Sequence, residues 1–119
     1  MLLPECQFEI MSAIWQARAD HEAAFFRDLF KYGSDHLKER ERSTIYTQLQ
    51  WLREKGFIKT ERVNEYSNNL VPLVSEAEYR SEAYKDFVER TMRGNRVELA
   101  RLLLNDMTAE ELEKARKLL

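Results

Sequence analysis

Between Arg42 and Ile58 the chain reads RSTIYTQLQWLREKGFI, and only one thin line of that stretch is apolar. On a helical period Ile45, Leu49 and Leu52 fall at i, i+4 and i+7, the spacing of a single buried stripe. The other faces carry Ser43, Thr44, Tyr46, Thr47, Gln48 and Gln50. A solvated helix is ordinarily filled with Lys and Glu. A face of hydroxyls and amides offers hydrogen-bond donors and acceptors without fixed charge. Ser43 or Thr44 suits the N-cap, and Gly56 suits the left-handed residue that ends a helix.

The flanking sequence gives this helix a setting. Downstream, Phe57 to Val63 alternates as a half-buried strand does, NEYSNN (Asn64 to Asn69) is turn chemistry, and Leu70–Val71 returns before Pro72. Upstream, Pro4 suits a first helical position, and Phe8, Met11, Ile14 and Trp15 mark a buried face that runs out near Arg18. Asp20 suits the N-cap of a second helix carrying Phe25, Phe26, Leu29 and Phe30 and closed by Gly33. Ser34 to Glu41 is polar and reads as a loop. Three helices followed by a two-stranded hairpin is the order of a winged helix-turn-helix domain, here residues 1–73. The expected fold class is mainly α with a small β-hairpin (α+β), and only 3 Gly and 2 Pro favour that over a turn-rich β architecture.

From residue 74 to 119 every signal is helical. Ser75 with Glu78 forms a capping box ahead of Tyr79, Ala83, Phe87 and Val88, and Gly94 closes that helix. Asn95 with Glu98 starts another over Leu99 to Leu104, and Thr108 with Glu111 starts a last one reaching Leu118 and Leu119. So small an appendage has little interior of its own. Burial of Phe87, Leu99, Leu102, Leu103, Leu112 and Leu118 against a second copy makes this a dimerisation region. The other arrangement packs those leucines back onto the first domain.

Catalysis finds no support. His21 and His36 lie in polar sequence and fall in no metal-ligand spacing, and Cys6 has no histidine near it in sequence to act as a base. The glycines stand alone at 33, 56 and 94, so no phosphate-cradling loop exists. No catalytic residue, metal site or cofactor is expected. The single Cys6 excludes a disulfide framework within the chain, no apolar run reaches membrane-spanning length, and Glu5 and Glu9 stand where a signal peptide would be basic. A cytoplasmic protein without a membrane partner is the expectation.

Nucleic acid is the remaining partner class. The net charge of −2 is not that of a basic domain, but Lys31 to Arg62 holds eight basic residues against five acidic ones. A helix of about twelve residues spans roughly 18 Å and fits a major groove about 12 Å wide. Ser43, Thr44, Tyr46, Thr47 and Gln50 would read bases, with Arg42 at the helix start. Arg53, Lys55, Lys59 and Arg62 would meet phosphates on the helix and wing. A polar exposed helix without a partner is the competing reading.

These pieces resemble the BlaI/MecI/CopY penicillinase-repressor family of bacterial winged-helix regulators, nearly end to end. The resemblance rests on EIMSAIW (Glu9 to Trp15), STIYTQLQWLREKGFI (Ser43 to Ile58), PLVSEAEY (Pro72 to Tyr79) and MTAEELEKARKLL (Met107 to Leu119). It implies a homodimer that binds a palindromic double-stranded operator and represses transcription. The family's Thr-aliphatic-x-Thr falls on Thr44, Ile45, Tyr46 and Thr47. Trp51 stands where the family usually has Arg, and the wing tip from Asn64 to Asn69 has no positive charge. The resemblance also implies two release routes, cleavage of an Asn-Phe bond or metal binding at Cys-x-Cys pairs. Neither motif occurs in the chain, so an unidentified effector ligand or protein, or cleavage at another sequence, is expected instead. A winged-helix protein-interaction module that has lost DNA binding is the alternative.

Overall fold

A computed structural model of the chain describes residues 2–119. Its elements run α1 (Glu5–Asp20), α2 (Phe26–Tyr32), α3 (Asp35–Lys38), α4 (Arg42–Glu54), β1 (Ile58–Asn64), β2 (Ser67–Pro72), α5 (Glu76–Arg90), α6 (Arg96–Asp106) and α7 (Ala109–Arg116). This is the mainly helical winged-helix order with helices following the hairpin. Leu2–Arg80 and Ser81–Leu119 form separate compact units, so the division falls inside α5.

In the first unit α1 is the central helix. Ile10, Met11, Ile14 and Ala17 repeat at three and four residues, and Ala13 and Trp15 widen the buried surface beyond one stripe. That width lets α1 pack against α2, α3, α4 and β2. Phe8, expected on the buried face, is 41% exposed and stacks instead on Tyr79, with ring centroids 5.4 Å apart. The Tyr79 hydroxyl accepts from the Leu3 backbone N–H at 2.9 Å, and the Trp15 indole donates to the Val74 carbonyl at 3.0 Å. These contacts fasten the start of α5 to the first unit.

Local chemistry moved several expected boundaries. Asp20 ends α1 rather than capping α2, whose first turn is held by Asp28: its carboxylate accepts from the Phe25 N–H at 2.8 Å. Of the aromatic run on α2 only Leu29 is buried, and Phe25, Phe26 and Phe30 are half-buried. The stretch expected as a loop contains α3, because the Ser34 hydroxyl accepts from the Leu37 N–H and Leu37 itself is fully buried. The DNA-facing candidate helix is therefore fourth, not third.

The hairpin pairs antiparallel, Ile58 opposite Pro72 and Thr60 opposite Leu70, with an irregularity between Arg62 and Asn64. It was expected to be half-buried along its length, but in β1 only Ile58 is buried. The rest projects into solvent, as a wing does. Its base is anchored: the Leu70 N–H donates to the Ala24 carbonyl at 2.7 Å, and the Asn69 side-chain oxygen accepts from the Ala24 N–H at 3.1 Å. Asn69 was read as turn chemistry, yet it lies within β2 and makes this bridge.

The second unit is built from caps and exposed leucines. Asn95 and Thr108 each accept a backbone N–H three residues on, as Ser75 does within the first unit at the start of α5, and Thr108 with Glu111 forms a complete capping box. Gly94 takes the left-handed conformation (φ +81°) that closes α5. No residue of α6 or α7 is buried.

Candidate nucleic-acid interface

On α4 the stripe is as the spacing requires: Ile45, Leu49 and Leu52 are buried, and Ile45 and Leu52 wholly so. Burying three positions fixes which faces look outward. Arg42, Ser43, Tyr46, Thr47, Gln50 and Arg53 are exposed, and Thr44 is half-buried.

Both helix ends have physical causes. Neither Ser43 nor Thr44 caps it; Glu41 occupies that position without a side-chain bond, and its carbonyl accepts from the Ile45 N–H. Ser43 and Thr44 therefore sit within the first turn, and no acidic residue lies there. At the other end Gly56 adopts φ +82°, and the Phe57 N–H reaches back to the Leu52 carbonyl at 2.9 Å. This six-to-one bond is the Schellman closure that a left-handed glycine permits. Lys-Gly after the helix is thus a stop, and it turns the chain directly into the wing.

The side chains are not equally free. The Thr47 hydroxyl donates to the Ser43 carbonyl at 3.0 Å, which leaves its oxygen able to accept. Gln50 donates to Glu54 at 3.4 Å, an exposed contact. Tyr46 is stacked flat on Phe26, and the Arg42 guanidinium lies over the rings of Phe26 and Phe30 at 5.8 and 5.7 Å. Gln48 turns inward: buried Gln7 donates to it at 2.9 Å and accepts from the Lys55 ammonium at 2.6 Å. Lys55 thus points at α1 as well as standing beside the interface.

On the wing, Lys59 pairs with Glu61 at 3.1 Å, and Arg62 donates to the carbonyls of Asn64 and Glu65. The Arg53 side chain, by contrast, makes no ion pair or hydrogen bond among the described residues, and neither does that of Arg27 on α2, whose guanidinium lies over the Phe25 ring at 5.0 Å. The sequence holds no sign of Arg27 in this role, and it marks Phe25, Phe26 and Phe30 only as apolar residues carried by the second helix. Nothing local says that α2 will meet α4 at Tyr46. No three His, Cys, Asp or Glu side chains converge to hold a metal among the described residues.

An exposed hydroxyl-and-amide helix face beside an anchored wing is the arrangement with which winged-helix proteins meet DNA. The chain matches the Penicillinase_R family, described as penicillinase repressor, over residues 3–119. The chain belongs to the penicillinase repressor family. That makes it a transcriptional regulator of a DNA-binding family, as the fourth helix and wing suggest. Among curated proteins, none matches this chain. Among solved structures it is similar to a chain of the Drosophila ORC bound to AT-rich DNA and Cdc6, at 17% identity and a TM-score of 0.54. The similarity covers 71% of this chain and 29% of that one, and it is a likeness of fold.

Proposed function

We propose that this penicillinase-repressor family member is a cytoplasmic homodimer that binds a palindromic operator and represses transcription. The observation that carries the reading is α4: its apolar stripe is spent on the core, which leaves Tyr46, Thr47 and Gln50 exposed, and Thr44 half-buried beside them, with groups suited to base edges. Arg42 and Arg53 at the two ends would supply phosphate contacts that set register. Lys59 and Arg62 would contribute less, being held by neighbours on the wing itself.

Dimerisation is supported by the second unit. Leu102, Leu103 and Leu112 are 45%, 49% and 39% exposed, and Phe87 and Leu118 are exposed as well. So many exposed large apolar side chains in one short region suit an interaction site, and a second copy would supply a self-complementary one. A two-fold dimer would set two α4 helices about one DNA turn, roughly 34–36 Å, or a multiple apart. Release from DNA would come from an effector that binds the DNA-incompetent state more tightly. The intact mass of protein recovered before and after derepression tests this; a chain cut between Leu102 and Leu103, where the family's Asn-Phe bond would fall counting on from Gly94, would contradict it.

One observation favours a second reading. Both wing cations are engaged within the hairpin and the chain carries −2 overall, which suits a winged-helix module that binds protein rather than DNA. A gel shift against the DNA upstream of the protein's own gene, at two salt concentrations, separates the two. The repressor reading expects a discrete shifted band that weakens as salt rises. No shift at either concentration would favour the protein-binding module.

A further inference from the structure

Between α2, α4 and the hairpin, wholly within Leu2–Arg80, lies a cleft of about 300 Å³. That is the small end of the range of ligand pockets, roughly 300–1,000 Å³. Its lining combines two chemistries. Phe26, Tyr46 and Tyr66 present aromatic surface, and Leu49 and Leu70, both buried, add aliphatic surface. Arg27 and Arg53 line it too; among the described residues neither side chain makes an ion pair or a hydrogen bond, and the Arg27 guanidinium rests over the ring of Phe25, another lining residue, at 5.0 Å. Elsewhere among the described residues Arg80, Arg90, Arg101 and Arg116 are each paired with a carboxylate, while Arg40, Arg93 and Arg96 are unpaired but do not line this cleft.

The lining selects an occupant. A neutral hydrocarbon would leave the guanidiniums with no acceptor, and inorganic phosphate would gain nothing from the aromatic walls. A flat ring bearing a carboxylate satisfies both, since Arg binds planar carboxylates in a fork geometry and stacks on aromatic faces. We propose that this cleft binds a small planar aromatic acid of one or two rings, and that the bound acid displaces DNA. Competition follows from shared walls: Tyr46 belongs to the outward face of α4, and Tyr66 to the wing tip. This second half rests on the DNA-binding reading above; the binding site itself does not.

The test uses the full chain and 1-naphthoate as probe, followed by amide chemical shifts. Saturable shifts gathered on Tyr46, Leu49, Thr60, Ser67 and Leu70 are expected. The neutral analogue 1-naphthamide should bind about tenfold more weakly, as should 1-naphthoate to the Arg27→Gln variant, each having lost a charge-assisted bond. Asn68→Trp, which fills the cleft mouth from an exposed position, should abolish binding while amide shifts elsewhere stay native. Shifts that never saturate at millimolar probe, or equal affinity for acid and amide, would overturn the site. So would an Arg27→Gln variant that loses DNA affinity but keeps naphthoate, because Arg27 would then be a phosphate contact. With labelled upstream DNA, 1-naphthoate should lower DNA affinity and 1-naphthamide should not. Naphthoate in the cleft with DNA affinity unchanged would overturn the regulatory half. DNA binding with no naphthoate binding refutes this site alone, and naphthoate binding with no DNA binding refutes the repressor reading, and the displacement that rests on it, while leaving the site.

Discussion

The ring of Tyr46 on α4 lies flat against the ring of Phe26 on α2, with 4.3 Å between centroids and 5° between planes. Tyr46 is more than half exposed, yet it is not a loose side chain. The stack fixes one of the outward groups of α4 and ties that helix to α2. Replacing Phe26 with Ala should cost about 1–2 kcal/mol of stability, from a half-buried ring and its aromatic contact. It should also broaden the Tyr46 ring resonances. Chemical denaturation and aromatic NMR check both, and an unchanged Tyr46 environment would show that the stack does not hold it.

Gly33 is required for space rather than for backbone freedom. Its φ is −74°, which any residue adopts, but a β-carbon there would collide with the Leu29 carbonyl and lie 2.6 Å from Leu37 Cδ2. Gly33→Ala should therefore destabilise the first unit by about 1–3 kcal/mol, the usual cost of overpacking. A midpoint equal to that of the parent in a urea titration would contradict this.

The exposed leucines of α6 should be where two copies meet. Leu102→Asp combined with Leu103→Asp is expected to give a monomer at micromolar concentration and to lower operator affinity on the order of 100-fold or more, since each recognition helix would then bind alone. Light scattering on the parent and the variant reads the first part. A monomeric parent would count against the proposed dimer.

The capping box of α7 makes a pH prediction. Hydrogen bonds from the Thr108 backbone and side chain hold the Glu111 carboxyl below its ordinary value of 4.5. A depressed folded value means that the cap is fully present above the ordinary Glu range and is lost as pH falls through the lowered value. Protection of the amides at the start of α7, measured against their intrinsic exchange rates, should fall on that descent, and Glu111→Gln should remove this pH dependence. Protection that falls equally in the variant would assign the effect elsewhere.

The winged-helix order, the buried stripe of α4, the glycine stops and the three caps of the C-terminal helices were legible in the sequence because each depends on residues within one turn of one another. What was not legible depends on partners far along the chain. Asn69 bridges to Ala24, Tyr79 reaches Leu3, and Gln7 draws Gln48 and Lys55 toward α1. A polar residue near a turn or on a helix looks solvated until the element that it meets is known. Phe25, Phe26 and Phe30 show the converse. In the sequence they are simply apolar residues of the second helix, but all three are half-buried, with Arg42 and Tyr46 lying on Phe26, Arg42 on Phe30 and Arg27 on Phe25.

The most direct measurement is the affinity of the Thr47→Ala variant for its operator and for a scrambled duplex of the same length, beside Arg42→Gln. If α4 reads base edges, Thr47→Ala should lose on the order of 1–3 kcal/mol on the operator and almost nothing on the scrambled duplex. Arg42→Gln should weaken both duplexes alike and reduce the salt slope by about 1. A Thr47→Ala variant that holds its operator with unchanged affinity would contradict the orientation of α4 on DNA.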